Sequence, residues 1–390
     1  MGSFDRQCVL LSRALDKLGV EVHVYCDPES RTFDAPEVTF HDVSAVLTDA
    51  EGRLKRPVNI LSFALKATQS LRRERARYDL VHVAGCTAWE HDIVTCHDVT
   101  KAELRRWPDR GGRHYRAARL RARLAPVVQP RVSLLRWIER RQLRSGAFLR
   151  LIARTEEVRS DLVNVQGIQP EWIDVIPPAI TVTPSASRPT NGLRASFGVP
   201  PESGIIVFVG HDFERKGLLE AIESMAGLEQ DAHLFIAGSG NSEPYKRAAE
   251  RLAVGHRVHF LGGTTTPELV YGEGDVLLHP ARWEVWGTPI IEAMAFGLPV
   301  VTTAATGSAR EVQSAAAGVV VSDPSPRLLR EALSALLGNP DRRREMGERG
   351  RVAAAQFLPG AHAERTLETY TTALRQGAGR NRGRQAVPAL

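Results

Sequence analysis

DVLLHPARWEVWGTPIIEAMAFGLPVVTTAA, residues 275–305, contains two strands and a helix in close succession. The apolar run from Asp275 to His279 is stopped by Pro280, which reads as a short buried strand. Gly287-Thr288-Pro289 opens an Ala-rich run that closes at Phe296-Gly297. Proline suits a first helical turn and glycine a helix end, so 288–296 is predicted helical and 298–303 is the next strand. Glu284 lies in the loop before this helix and Glu292 about one turn inside it. A helix N-terminus exposes free N–H groups and partial positive charge, which favour an anion. Carboxylates bracketing such an end can hold the hydroxyls of a ligand whose phosphates rest on it. Taken alone, the two glutamates read as ordinary solvated residues.

The same grammar recurs upstream. Residues 204–210 are apolar throughout, as a parallel strand buried on both faces requires. They run into His211-Asp212-Phe213-Glu214-Arg215-Lys216-Gly217 and an amphipathic helix to about Gly227. Arg offers a planar fork and Lys a point charge, so two adjacent cations between strand end and helix start suit a diphosphate. Residues 233–237 form a strand ending in Gly238-Ser239-Gly240, where bare backbone can approach a ligand. Residues 257–261 and 319–321 are strands, 267–271 is helical and 307–311 is a turn. Helices are predicted over 327–337, 342–356 and 361–374, followed by a Gly/Arg/Pro-rich tail, 377–390, that reads as disordered.

The first half alternates in the same way, with weaker signals. A helix at 5–18 precedes a strand at 20–26; 31–55 shows no element; 58–75 is helical; 78–84 and 92–96 are strands. His97-Asp98 follows directly at a strand's carboxyl end, where open α/β sheets place ligands. Arg-rich helices are predicted at 101–124 and 133–145, then a strand at 148–153 with Thr155 as N-cap of the next helix. The Pro/Ser/Thr-rich segment 181–191 is a linker.

At 390 residues the chain suits two domains. It carries no apolar run near the ~20 residues that span a bilayer and no secretion signal at its start. Cys8, Cys26, Cys86 and Cys96 lack metal-ligand spacing and read as core residues of a reducing compartment. A cytoplasmic enzyme fits these features. The net charge of +6 is uneven: 101–150 holds fourteen Arg and one Lys against Glu103, Asp109 and Glu139, a balance of +12. That segment reads as a solvated basic helix pair, or as a contact for an anionic membrane at its inner face. Without aromatic interleaving it gives no specific nucleic-acid module. No G-x-G-x-x-G follows the first strand of either half, which disfavours a nicotinamide-dependent dehydrogenase.

The string E-x-W-G-T-P-x-x-E-A-x-A-x-G-x-P-V-V resembles the E-x7-E signature of retaining glycosyltransferases of the GT4 family. Residues 209–217, 275–280 and 299–303 look nearest to the lipopolysaccharide-core glucosyltransferase branch. The likeness is specific over 204–321 and looser before it. It implies an α/β GT-B fold: two Rossmann-like, doubly wound domains facing across a cleft. The expected division is 1–185 for the acceptor, 186–358 for the donor, and a helix over 359–376 that crosses back to the first domain. Such chains usually open with a strand and a Gly-rich loop, so a start at Met1-Gly2-Ser3 implies either that coding begins further upstream or that the first domain lacks its first strand.

The resemblance also implies site roles. Glu284, His97, Arg215 and Lys216 become the catalytic candidates, with Glu284 on sugar hydroxyls and the two cations on the departing diphosphate. Glu292, on ribose hydroxyls, joins Gly287, Thr288, Trp286, Gly238, Gly210 and Gly2 as donor-binding candidates. No D-x-D string is present, so the expectation is no metal and no cofactor, the nucleotide sugar being a co-substrate. UDP-glucose is the favoured donor, GDP-mannose and UDP-N-acetylglucosamine the alternatives. The acceptor is a glycan, a lipid-linked molecule or a small metabolite. A GT-B-fold UDP-sugar epimerase is the rival reading.

Overall fold

The computed structural model describes residues 3–28, 35–44, 55–102, 130–144, 147–180, 182, 192–264 and 266–384. It divides into two compact units: Met1–Ala179 with Pro359–Leu390, and Ile180–Leu358. The division falls a few residues before the expected one because Ile180 and Val182 already belong to the second unit's core. There the Ile180 N–H donates to the Phe357 carbonyl at 2.9 Å, so entry and exit strands of chain lie side by side.

In the first unit the chain runs α1 (Ser3–Asp16), β1 (His23–Cys26), β2 (Thr39–Asp42), α2 (Lys55–Glu74), β3 (His82–Ala84) and β4 (Ile93–Cys96). It continues through α3 (Pro130–Gln142), β5 (Arg150–Ala153), α4 (Glu156–Gln166) and β6 (Ile173–Val175). Strands β3-β4-β5-β6 form one parallel sheet and β1-β2 a separate parallel pair. Strand β2 carries no sequence signal: Thr39-Phe40-His41-Asp42 is short, polar and half exposed. Thr155 caps α4 as expected, its hydroxyl accepting from the Val158 N–H at 3.1 Å, and Gly167 ends the helix in the left-handed region at φ +72. Most of the Arg-rich segment, 103–129, lies outside the described residues.

The second unit holds α5 (Leu193–Ser196), β7 (Gly204–Val209), α6 (Leu218–Met225), β8 (Ala232–Ala237), α7 (Glu243–Arg251), β9 (Val258–Gly262), α8 (Pro267–Glu273) and β10 (Val276–His279). Then come α9 (Thr288–Ala295), β11 (Val300–Thr303), α10 (Ala309–Ser314), β12 (Gly318–Val321), α11 (Pro326–Leu337) and α12 (Pro340–Ala354). All six strands are parallel, in the order β12-β11-β10-β7-β8-β9. Counted along the chain this is 3-2-1-4-5-6 read from β9, the doubly wound order with its reversal between β7 and β10. Successive residues feed opposite faces: Ile205 and Val207 enter the core with Leu277 and Ile290, Ile206 and Phe208 the one with Leu278 and Ile222. A strand apolar at every position therefore needs helices on both sides.

Two expectations change. Residues 309–314 form a helix rather than a turn, and 243–251, too polar to show a broad apolar stripe, are helical as well. The last helix, α13 (Pro359–Arg384), belongs to the first unit and runs well past residue 374. Its apolar face meets α1 through Ala363 and Leu367 against Ala14 and Leu15. Polar groups also fix it: the Tyr370 hydroxyl lies 2.7 Å from His82 Nδ1, and the Thr369 hydroxyl donates to Asp174 at 2.8 Å. That buried face holds the helix in place, although 377–384 has the composition of a loop; 385–390 lies outside the described residues.

Ile206 is fully buried in the central strand of the six-stranded sheet. Ile206→Ala is expected to cost about 2–5 kcal/mol of second-unit stability, read as a lower urea midpoint for that unit's transition.

Candidate functional site

β7 and β10 are paired neighbours, Leu277 lying opposite Val207, but their onward connections leave toward opposite edges of the sheet. Such a reversal leaves a crevice at the strands' carboxyl ends. Two loops enter it. After β7 the chain passes Gly210 and returns Lys216 across it: a Cβ on Gly210 would fall 2.1 Å from Lys216 Cδ, so only glycine leaves that path open. Gly217, the N-cap of α6, sits at φ +74, and its missing Cβ would fall 2.1 Å from the Pro280 carbonyl oxygen. Helix and strand end can therefore close on one another.

The second loop carries Glu284. Its N–H donates to the Ala305 carbonyl at 3.2 Å and its carbonyl accepts from the Gly307 N–H at 3.0 Å, so the segment after β11 holds it as a one-residue strand. Its carboxylate then meets both cations. Glu284 Oε2 lies 2.7 Å from Lys216 Nζ and 2.9 Å from Arg215 Nη1, and the Glu284 and Lys216 side chains keep only 15% and 10% of their exposure. Arg215 is fixed further by the Trp283 carbonyl at 3.1 Å, by Asp212 at 3.0 Å and by the Trp283 ring beneath it at 5.6 Å.

Burial alone would raise the Glu284 pKa, but Lys216 and Arg215 hold it at about 2. Burial would lower the Arg215 pKa, and Glu284 with Asp212 raises it instead. His279, at the tip of β10, is completely buried with Nε2 3.9 Å from Glu284 Oε2, and neither ring nitrogen has a hydrogen-bond partner among the described residues. Burial, then the Lys216 charge, takes its pKa down to about 3, so the ring is neutral near pH 7.

Helix α9 opens beside this cluster. Gly287 is its N-cap at φ +84, supplies no capping side chain, and has space for none, since a Cβ would fall 2.9 Å from Thr306 Cγ2. The first-turn N–H groups around Thr288 thus lack a side-chain cap. Close by, the fully buried Ser308 hydroxyl has no partner among the described residues. Gly238 completes the floor: its missing Cβ would fall 1.8 Å from the Gly210 carbonyl oxygen, which brings the loop after β8 against the loop after β7.

Two predicted donor residues look different in three dimensions. Glu292 is 4% exposed, and one of its carboxylate oxygens accepts from the buried Tyr271 hydroxyl at 2.9 Å. Trp286 has its indole in the core against Phe357, ring centroids 5.5 Å apart, so its side chain serves packing. What Trp286 offers the crevice is backbone: its carbonyl accepts from the Ser308 N–H at 3.0 Å. Sequence reasoning missed His279, Tyr271 and Ser308. The only signal was His279 at the very end of an apolar run, a polar residue that a buried strand tip rarely carries without cause.

His97 belongs to the first unit, at the carboxyl end of β4, and Gly2 lies outside the described residues. His97 lines a cavity of about 200 Å³ with Asp98, Thr100, Glu139 and Gln142. Burial, helped by Arg154 and His82, lowers its pKa to about 3, which makes it a neutral imidazole. Glu139 closes the cavity wall, accepting from the Thr100 N–H at 2.9 Å, the Thr100 hydroxyl at 2.6 Å and Gln166 at 2.6 Å. Among the described residues no group of three or more His, Cys, Asp or Glu is placed to hold a metal, and no helix is long and apolar enough to cross a membrane.

Comparison with known proteins places both halves. Residues 5–183 match the model of Glycosyltransferase Family 4, and residues 190–353 that of Glycosyl transferases group 1. The lipopolysaccharide glucosyltransferase WaaG of Escherichia coli K12 is 30% identical over 222 residues, 55% of this chain and 59% of that protein. A D-inositol 3-phosphate glycosyltransferase of Segniliparus rotundus is 29% identical over 391 residues, 94% of this chain and 84% of that protein. Among solved structures, WaaG superposes with a TM-score of 0.72 at 23% identity, covering 95% of this chain and 96% of that one. Anabaena HepE, solved with UDP and glucose, gives 0.69 at 16% identity, covering 95% and 96%. These likenesses show the GT-B fold.

Glu284 ionises below its ordinary value in the folded chain, so the stability it contributes is complete above about pH 4.5 and is lost as pH falls toward 2. The urea midpoint of the second unit is expected to fall more steeply between pH 5 and pH 3 in the wild type than in Glu284→Gln, as followed by fluorescence. At pH 7 that variant is expected to be the less stable, because the buried Lys216 loses its carboxylate and the half-buried Arg215 one of its two.

Proposed function

Since the chain is a glycosyltransferase, built of a Family 4 domain followed by a group 1 domain, we propose that it moves a hexose from a nucleotide-diphosphate sugar to a hydroxyl acceptor with retention of configuration. The observation that carries this reading is the meeting of Arg215, Lys216 and Glu284 at the reversal between β7 and β10. A diphosphate suits the two cations and the uncapped start of α9, and Glu284 is within reach of whatever they hold. Glu292, which accepts from the Tyr271 hydroxyl, is the residue we assign to the ribose hydroxyls.

Departure of the nucleoside diphosphate leaves positive charge on the sugar ring and negative charge on the leaving phosphate. Arg215, Lys216 and the α9 N–H groups stabilise the second in a nearly dry crevice, where fixed charges are worth more than in water. They supply the charge neutralisation that a metal gives elsewhere. Glu284 holds sugar hydroxyls and faces the developing cation. Attack comes from the side of the leaving group, the acceptor proton passing to the departing phosphate oxygen, so Glu284 forms no covalent bond.

UDP-glucose is the donor we favour, supported by the glucosyltransferase WaaG and by HepE with UDP-glucose bound. The first unit takes the acceptor, a glycan or lipid-linked molecule, at the inner face of the membrane. The basic stretch 101–150 supports peripheral contact with anionic lipid.

A hydrolysis and thermal-shift screen across nucleotide sugars is expected to select a UDP-hexose. Incubation with donor alone is expected to yield no epimer; an epimer would replace this reading with a UDP-sugar epimerase. Glu284→Ala is expected to cut turnover by about a hundredfold or more with the fold intact, and near-normal transfer would refute its role. Lys216→Ala is expected to weaken binding of UDP itself by roughly 10- to 100-fold in calorimetry, the worth of one charged hydrogen bond.

A further inference from the structure

Three basic side chains among the described residues are buried to 8% exposure: Arg150, Lys216 and Arg154. Arg150 is held by Asp174 and the Glu171 carbonyl, and Lys216 by Glu284. The Arg154 guanidinium has neither a hydrogen bond nor an ion pair among the described residues. The nearest carboxylate in sequence, Glu156, is turned to Arg159 at 3.6 Å.

Arg154 leaves the carboxyl end of β5, where its N–H donates to the Cys96 carbonyl at 3.3 Å, which sets it beside His97. The groups that feel its charge are His82, His97 and His362, with the Cys8 thiol on α1. None is an anion. His82 is locked between the Tyr370 hydroxyl and Thr95, each at 2.7 Å, and His362 Nδ1 lies 2.9 Å from the Pro177 carbonyl oxygen. Burial, reinforced by neighbouring cations, keeps His82 and His97 near a pKa of 3 and His362 near 4, so all three are neutral. Burial lowers Arg154 itself only to about 10, and it stays charged.

A guanidinium that cannot shed its proton and lacks an acceptor is poorly placed in a protein interior unless a ligand completes it. We propose that Arg154 binds an oxyanion, phosphate or carboxylate, carried by the acceptor beside the hydroxyl that is glycosylated. This rests on the reading of the first unit as the acceptor-binding half. The planar fork suits two oxygens of one group, and the three neutral imidazoles leave the site's positive charge uncancelled.

The test is thermal unfolding of the full chain during titration with inorganic phosphate, then acetate. It is run in a Lys216→Ala background, which removes the phosphate response of the second unit. The melting temperature is expected to rise with phosphate in that background and to stop rising once Arg154→Met is added. An equal rise with acetate assigns the site to carboxylates. Arg154→Lys, which keeps the charge but not the fork, is expected to weaken the apparent phosphate affinity severalfold. A rise that persists undiminished in the double variant, or one already absent in Lys216→Ala alone, overturns the proposal. UDP binding, measured by calorimetry on a single Arg154→Met variant, is expected to equal the wild type. Failure of the wild type to bind UDP would count against the donor reading and leave the phosphate result standing.

Discussion

Glu284, in its crevice, is 2.7 Å from Lys216 and 2.9 Å from Arg215, and much of the second unit's local geometry exists to permit that meeting. Burying any one of these charges alone would cost far more than the pair gives back. The approach needs backbone with nothing on it. Gly210 clears the path of Lys216, Gly217 lets α6 close on Pro280, and Gly287 turns at φ +84 against Thr306. The parallel order supplies the rest, because only at the reversal between β7 and β10 do two adjacent strand ends send their loops apart.

In this arrangement the protein serves as its own counterion. The two cations are offset by two carboxylates, Glu284 between both of them and Asp212 on Arg215. Among the described residues the buried His279 ring and the buried Ser308 hydroxyl have no hydrogen-bond partner, which leaves polar capacity in this unit. The first unit holds two buried cations in different ways: Arg150 is paired with Asp174, whereas Arg154 has neutral imidazoles near it and, among the described residues, no carboxylate.

Legibility in the sequence followed the range of the forces involved. Strands β7, β10 and β11 were readable because a parallel strand buried on both faces is apolar at every position, a local property. Strand β2 was not, since its four residues are polar and partly exposed and its form comes from pairing with β1. The far end of α13 looked like a disordered tail because composition alone cannot register the helix's burial against α1 and the tie of Tyr370 to His82. Trp286 was placed on a ligand from its position in a motif, and only packing shows its ring against Phe357.

By itself the sequence determined the class, parallel α/β in two domains. This follows from periodicity and from residue types at short spacing, which a linear reading can see. Only the tertiary structure decided that Lys216 donates to Glu284, 68 residues away, and that Tyr271 donates to Glu292. It alone decided that, among the described residues, His279 is buried without a hydrogen-bond partner and Arg154 without a carboxylate. The reason is physical: pairing and desolvation depend on what surrounds a charge in space, and two identical stretches of sequence can differ in that entirely.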